Sequence, residues 1–370
     1  MTEQTSLTTA LQTLLEKALQ SAGGWLPFDR FMALALYAPG LGYYASHSPK
    51  FGAMPAGVQG GGSDFVTAPE LTPLFGQTLA EQVGEALAAT GTDEVWEFGA
   101  GSGALALQLL AALGAQRVAP RRYTIVELSG TLRARQQATL AAHADRVRWV
   151  SELPDRLRGV VVGNEVLDAM PVKLLVRSSG VWHERGVAWH AGRLGWADQP
   201  TALRPPLEVD GPHDYLTEIH PQAEAFVRTL ADRLAQGAAF FIDYGFPERE
   251  YYHPQRHMGT LMCHRAHRAD ADPLADLGLK DITAHVNFTG VALAAQQAGL
   301  GTLGYASQAR FLMNCGLLSK AEHSTTAERA LAIKLINEHE MGELFKVIGW
   351  VKGEPWAAMG FAQGDRSHTL

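Results

Sequence analysis

The apolar run Val95-Trp96-Glu97-Phe98 gives way to glycines at alternate positions, Gly99, Gly101 and Gly103, and helix-forming residues resume at once with Ala104-Leu105-Ala106-Leu107. Strand, glycine-rich turn and helix in immediate succession fit few architectures. Alternate glycines let the backbone turn tightly and lie against a ligand, where a Cβ would collide. The flanking sequence keeps the same rhythm. Strands are expected at 94–98, 123–127, 160–164 and 239–244, and helices at 73–89, 104–113, 132–142 and 221–235. Such alternation implies right-handed crossovers and a mainly parallel sheet. The expected fold class is α/β with a doubly wound, Rossmann-like core.

Around that core the texture changes. Leu7, Leu11, Leu14, Leu15, Ala18 and Leu19 recur at helical spacing, and a second helix is expected over 28–37, stopped by Pro39 and Gly40. Gly52, Gly57, Gly60, Gly61 and Gly62 mark a loop that is a candidate lid. Short β-like runs over 173–212, broken by Gly180, Gly186 and Gly192, read as a small antiparallel insertion. The polar, His-rich connection at 251–287 is long for a purely structural link. The expected division is a helical N-terminal part at 1–90, the core at 91–172, the antiparallel insertion at 173–220 and a return to the core at 221–245. A long insertion at 246–290, the last part of the core at 291–355 and a tail at 356–370 complete it.

The glycine pattern alone also suits a dinucleotide, so its flanks decide. Glu97 would repel a pyrophosphate but can meet the methionine end of S-adenosylmethionine, directly or through water. Glu127, at the end of the next strand, is placed to accept hydrogen bonds from both ribose hydroxyls and fits either cofactor. Together Glu97, Gly99, Gly101, Gly103 and Glu127 favour S-adenosylmethionine. A nicotinamide-dependent oxidoreductase is the alternative that the glycines and Glu127 permit. A non-catalytic assembly protein that retains the fold is another.

The apolar strand 160–164 runs on into Glu165-Val166-Leu167-Asp168, which puts Asn164 and Glu165 at the carboxyl end of the sheet, where doubly wound folds bind ligands. If this segment coils, Glu165 and Asp168 share a face and suit a cationic or hydrogen-bond-donating acceptor. Asp243-Tyr244-Gly245 delivers polar residues to the same edge. His253, His257, His264, His267 and His285 lack regular ligand spacing and a cysteine partner, so no metal site is expected.

A formal net charge of -7 argues against a large basic surface for nucleic acid. The two cysteines, Cys263 and Cys315, provide neither a disulfide framework nor paired zinc ligands, consistent with a reducing compartment. Nothing in residues 1–20 resembles a targeting segment, and no stretch approaches the roughly 18 apolar residues of a membrane span. A cytoplasmic location is expected.

With these motifs assembled, the chain resembles the MidA family, associated with protein arginine methylation and, in mitochondria, with assembly of respiratory complex I. Six motifs in order carry the likeness, over roughly residues 26–351. They are Tyr37-Ala38-Pro39-Gly40-Leu41-Gly42-Tyr43-Tyr44, Asp64-Phe65-Val66-Thr67-Ala68-Pro69-Glu70, the segment 97–103, the segment 164–172, Asp243-Tyr244-Gly245, and Asp281-Ile282-Thr283-Ala284-His285-Val286-Asn287-Phe288. The resemblance implies a seven-stranded methyltransferase sheet of the class I type, with Thr67, Pro69 and Glu70 near the cofactor. It also implies that residues 164–168 lie near the acceptor, a protein arginine on a respiratory complex subunit. Asn164 and Glu165 are counted on both the cofactor and the catalytic side, with Asp168 and His285 as further catalytic candidates. One departure is Asn287, where the family commonly carries Asp, and a neutral amide there would orient a guanidinium less strongly.

Overall fold

The computed structural model describes residues 3–46, 67–116, 118–265 and 268–370, so the glycine-rich stretch 52–62 and His267 lie outside the described residues. The chain divides into two compact units. One gathers Met1–Lys50, Leu167–Ala225 and Phe246–Gly290, and the other Phe51–Val166, Phe226–Gly245 and Val291–Leu370.

The second unit is built on the parallel sheet. Its strands run in the order Gly301–Ser307, Phe345–Lys352, Leu234–Phe246, Leu157–Asn164, Glu94–Phe98, Arg122–Val126, Val147–Val150. The last five pair in parallel, while Phe345–Lys352 runs antiparallel to both its neighbours. Val160, Val162, Phe240 and Ile242 are buried, as the near-continuous apolar runs of strands covered on both faces require. Helices Leu74–Thr90 and Ala104–Ala115 pack into the same core through Leu79, Val83, Leu105 and Leu109. From Glu94–Phe98 the chain steps outward through Arg122–Val126 to Val147–Val150, then returns to lay Leu157–Asn164 on the other side of Glu94–Phe98. That reversal is a topological switch point, the crevice in which open α/β sheets bind ligands.

The first unit is largely antiparallel. Lys173–Ser178, Val181–His190, Arg193–Pro200 and Tyr215–Ile219 form one sheet, to which Trp25–Pro27 adds a short strand against Val181–His190. The helices Glu3–Ser21 and Phe28–Tyr37 share its core through Leu15, Phe28, Phe31, Leu174 and Val187. The His-rich connection carries a three-stranded sheet of its own, Met262–Arg265, Arg268–Asp270 and Asp281–Thr283. Among the described residues no helix is long and apolar enough to cross a membrane.

Candidate active site

Glu97 is the last residue but one of the strand Glu94–Phe98 at the switch point and is 1% exposed. Among the described residues its partner is the Tyr123 hydroxyl on the neighbouring strand, which donates to Oε2 at 2.7 Å. Burial pushes the carboxyl up to about 8, with the tyrosine hydrogen bond opposing part of the rise. A buried carboxylate with so few donors favours a cation alongside it.

The turn that follows could be made only by glycine at little cost. Gly99, Gly101 and Gly103 have φ of 65°, 53° and 87°, all left-handed. A Cβ on Gly99 would also meet Val166 Cγ2 at 2.8 Å. Two side-chain links bring the short helix Ala68–Leu71 to this turn. Ser102 Oγ donates to Glu70 Oε1, and Gln108 Nε2 donates to the Pro69 carbonyl at 2.7 Å. Thr67 precedes that helix and accepts the backbone N–H groups of Glu70 and Leu71 at its carbonyl.

Glu127, just beyond the next strand, is 8% exposed and held on both oxygens. The Ser129 N–H donates to Oε1 at 2.8 Å and Gln136 Nε2 to Oε2 at 3.0 Å. Burial raises its carboxyl above the ordinary value, partly offset by these donors.

Across the switch point, Asn164 Nδ2 donates to Glu165 Oε1 at 2.9 Å. Its buried Oδ1 has no hydrogen-bond partner among the described residues. Glu165 adopts φ 53°, unusual for a residue with a side chain. Two contacts with the adjacent strand hold it there. Glu165 N–H donates to the Ile242 carbonyl at 2.9 Å, and Val166 N–H to Asp243 Oδ2 at 3.1 Å. The coil that would place Glu165 and Asp168 on one helical face does not form, because Glu165 takes a left-handed φ that a right-handed helix cannot contain. Strained backbone of this kind gathers at functional sites.

The remaining candidates belong to the other unit. Asp168 is buried and its carbonyl accepts from Ala284 N–H at 3.0 Å. The His285 ring meets Phe246 edge-on at 5.1 Å, and its backbone N–H donates to Thr260 Oγ1 at 3.0 Å. His220 is buried with Nε2 lacking a partner among the described residues, and burial together with His285 lowers it to about 3. Asn287 closes hydrogen bonds to Glu248 and Gly290 rather than presenting a free amide. No group of histidine, cysteine and carboxylate side chains that could hold a metal occurs among the described residues.

Structure thus brings Thr67, Pro69, Glu70, Glu97, Gly99, Gly101, Gly103, Glu127, Asn164 and Glu165 into one unit, and places Asp168 and His285 in the other. Tyr123 and Gln136 are the polar residues that sequence reading passed over. Gln136 carried a signal, since it lies four residues from Leu132 and Leu140 on one helical face.

S-Adenosylmethionine is matched by this chemistry. Its ammonium, ribose hydroxyls and adenine amine are donors, and Glu97, Glu127 and the orphaned Asn164 Oδ1 are acceptors.

Residues 78–306 match a family of S-adenosyl-L-methionine-dependent methyltransferases. The Danio rerio protein named "Protein arginine methyltransferase NDUFAF7, mitochondrial" is 27% identical over 88% of this chain and 83% of its own length. A homolog of that name from Caenorhabditis elegans is 26% identical over 72% of this chain and 67% of its own. A crystal structure from Burkholderia thailandensis, bound to S-adenosyl-homocysteine, is 51% identical with a TM-score of 0.94, covering 100% of this chain and 99% of that one. A native crystal structure from the same organism is 50% identical with a TM-score of 0.90 and the same coverage. These matches decide between the two cofactors that the glycine turn alone allowed.

Proposed function

The chain belongs to this family of S-adenosyl-L-methionine-dependent methyltransferases, and from that premise we propose that it methylates an arginine side chain of a protein. When bound, S-adenosylmethionine supplies the electrophilic methyl group. The observation that carries the site assignment is Glu97, a buried carboxylate beside a left-handed glycine turn, with a single tyrosine donor among the described residues. Glu97 takes the ammonium of the cofactor's methionine end. Glu127 takes the ribose hydroxyls, while Gly99, Gly101 and Gly103 keep the approach open. Thr67, Pro69 and Glu70, tied to this turn through Ser102 and Gln108, border the same crevice.

On the acceptor side the chemistry asks chiefly for position. An arginine is protonated at neutral pH, so a carboxylate orients the guanidinium through charge-assisted hydrogen bonds and favours proton loss as the new bond forms. Glu165 is held for that task in its left-handed turn, with Asn164 fixing its Oε1. Asp168 and His285 are the further acceptor-side candidates. Support for arginine comes from the names of the curated relatives, and the resemblance makes a subunit of a respiratory complex the acceptor class.

Labelled-methyl transfer into a lysate, followed by identification of the modified residue, tests the reading. Methylarginine is expected, and label confined to RNA, small molecules or another residue type would overturn the substrate. Glu165→Gln and Asp168→Asn, assayed separately, should each slow transfer by at least about tenfold with unchanged affinity for S-adenosylhomocysteine. Undiminished rates would remove those residues from the mechanism.

A further inference from the structure

Gln136 lies in the helix Gly130–Thr139 and is 0% exposed, yet every polar atom of its amide is engaged. Nε2 donates to the Gly101 carbonyl at 3.1 Å and to Glu127 Oε2 at 3.0 Å. Oε1 accepts from the Trp149 indole at 3.0 Å. These partners fix the orientation of the amide. A carbonyl and a carboxylate both require the NH2 end, and an indole N–H requires the oxygen. One buried side chain therefore joins the glycine turn, the acid of the next strand and the strand Val147–Val150. Thr139, on the same helix, adds a second tie by donating to the Ser102 carbonyl at 2.8 Å.

From this arrangement we infer that Gln136 is a positioning residue that locks Glu127 to the glycine turn, and so sets how strictly the site demands a ribose bearing both hydroxyls. The inference rests on the assignment of Glu127 to the ribose. A carboxylate offers about four acceptor sites. The bonds from Ser129 and Gln136 set its plane and leave capacity on the group for ligand hydroxyls. Without the amide, Glu127 turns about its side-chain torsions and its two oxygens no longer face a fixed pair of donors. Recognition of the ribose then weakens more than general binding does, because the rest of the ligand meets other groups.

Calorimetric titration of the full chain with S-adenosylhomocysteine and with its 2′-deoxy and 3′-deoxy ribose analogues tests this. The unmodified protein is expected to favour the full ribose by roughly tenfold or more over either analogue. In Gln136→Met, which keeps the length and apolar stem of the side chain, that preference should shrink by roughly tenfold, as affinity for the full ligand falls further than affinity for the analogues. Trp149→Phe keeps an aromatic side chain, though a smaller one, and removes the donor that orients the amide. It should compress the preference in the same direction, and it carries the comparison if Gln136→Met does not fold. Equal weakening toward all three ligands, with the preference intact, would overturn the inference and leave Glu127 on the ribose. An unmodified protein indifferent to loss of either hydroxyl would overturn the Glu127 assignment and the inference with it.

Discussion

Two buried glutamates, one in each unit, show how differently a fold can treat the same charged group. Glu218, in the antiparallel unit, is 0% exposed and surrounded by donors from its own chain. The Thr260 and Leu261 N–H groups donate to Oε1 at 2.8 Å and 3.0 Å, and the Tyr251 hydroxyl donates to Oε2 at 2.8 Å. Glu97, in the parallel unit, is equally buried but receives one hydrogen bond among the described residues, from Tyr123. Burial raises both carboxyls. A saturated buried carboxylate is an anchor, since removing it strands its donors. A sparsely served one beside the glycine turn is, on the function proposed above, a binding group whose missing partner comes from outside the chain. Between Glu218 and Glu97, depth of burial does not mark the difference, whereas the number of donors does.

The largest effect that can break this contrast is on stability. Glu218→Ala leaves two backbone donors and one hydroxyl without their acceptor, and should cost about 3–5 kcal/mol in urea unfolding. Affinity for S-adenosylhomocysteine, measured well below the unfolding transition, should stay within about twofold. Unchanged stability would mean that the Glu218 network is not an anchor. Glu97→Gln should behave in the opposite way, with little loss of stability and a change in binding that depends on pH.

The sign for Glu97 follows from its pKa, raised from 4.5 to about 8. The stability it contributes is fully present below the unfolded value and is lost as pH rises through about 8, because the folded state resists the charge. A ligand ammonium needs that charge. Binding below pH 8 must therefore release a proton, and affinity for S-adenosylhomocysteine should climb about tenfold per pH unit from about 6 toward 8, then level off. Calorimetry in buffers of different ionisation heat detects the released proton directly. Glu97→Gln should remove both the proton release and the slope, and a slope surviving in the variant would take Glu97 out of the ligand site.

The same contrast explains what could be read from the sequence. Apolar runs such as Val160-Val161-Val162 and Phe240-Phe241-Ile242 mark buried strands through local pattern, and alternate glycines after Phe98 mark the turn through backbone sterics. Glu97 and Glu127 are candidates in the sequence because strand ends in such sheets face ligands. Their partners were not. Tyr123 reaches Glu97, and Gln136 reaches Glu127 and Gly101, through strand pairing and helix packing that local periodicity does not encode. The short strands at Met262–Arg265 and Asp281–Thr283 escaped for the same reason, since their pairing spans the connection between them. The Glu165 turn departs from the expected coil because its left-handed φ is held by contacts with Ile242 and Asp243, far along the chain, which local periodicity does not encode.

Asn287 supplies the smallest and most specific test. In the sequence it stood out as a neutral amide where a carboxylate is common, and a weaker grip on a guanidinium was the implied cost. Its surroundings give a local reason for the amide. Oδ1 accepts from Gly290 N–H at 3.1 Å, capping the helix Phe288–Gln297, while Nδ2 donates to Glu248 Oε1 at 3.3 Å. An aspartate could still cap, but it would set a second carboxylate against Glu248 where the amide now donates. Asn287→Asp should therefore destabilise the protein by about 1–2 kcal/mol at neutral pH. The repulsion raises the folded pKa of that pair, so the deficit should be absent at acid pH and appear as pH rises through the carboxylate range. Thermal unfolding across that range measures it, with the Asn287→Asp, Glu248→Gln double variant restoring most of the loss. A stability deficit that ignored pH or survived the double change would show that the amide answers to something other than Glu248. Faster methyl transfer by Asn287→Asp would return the position to the acceptor side.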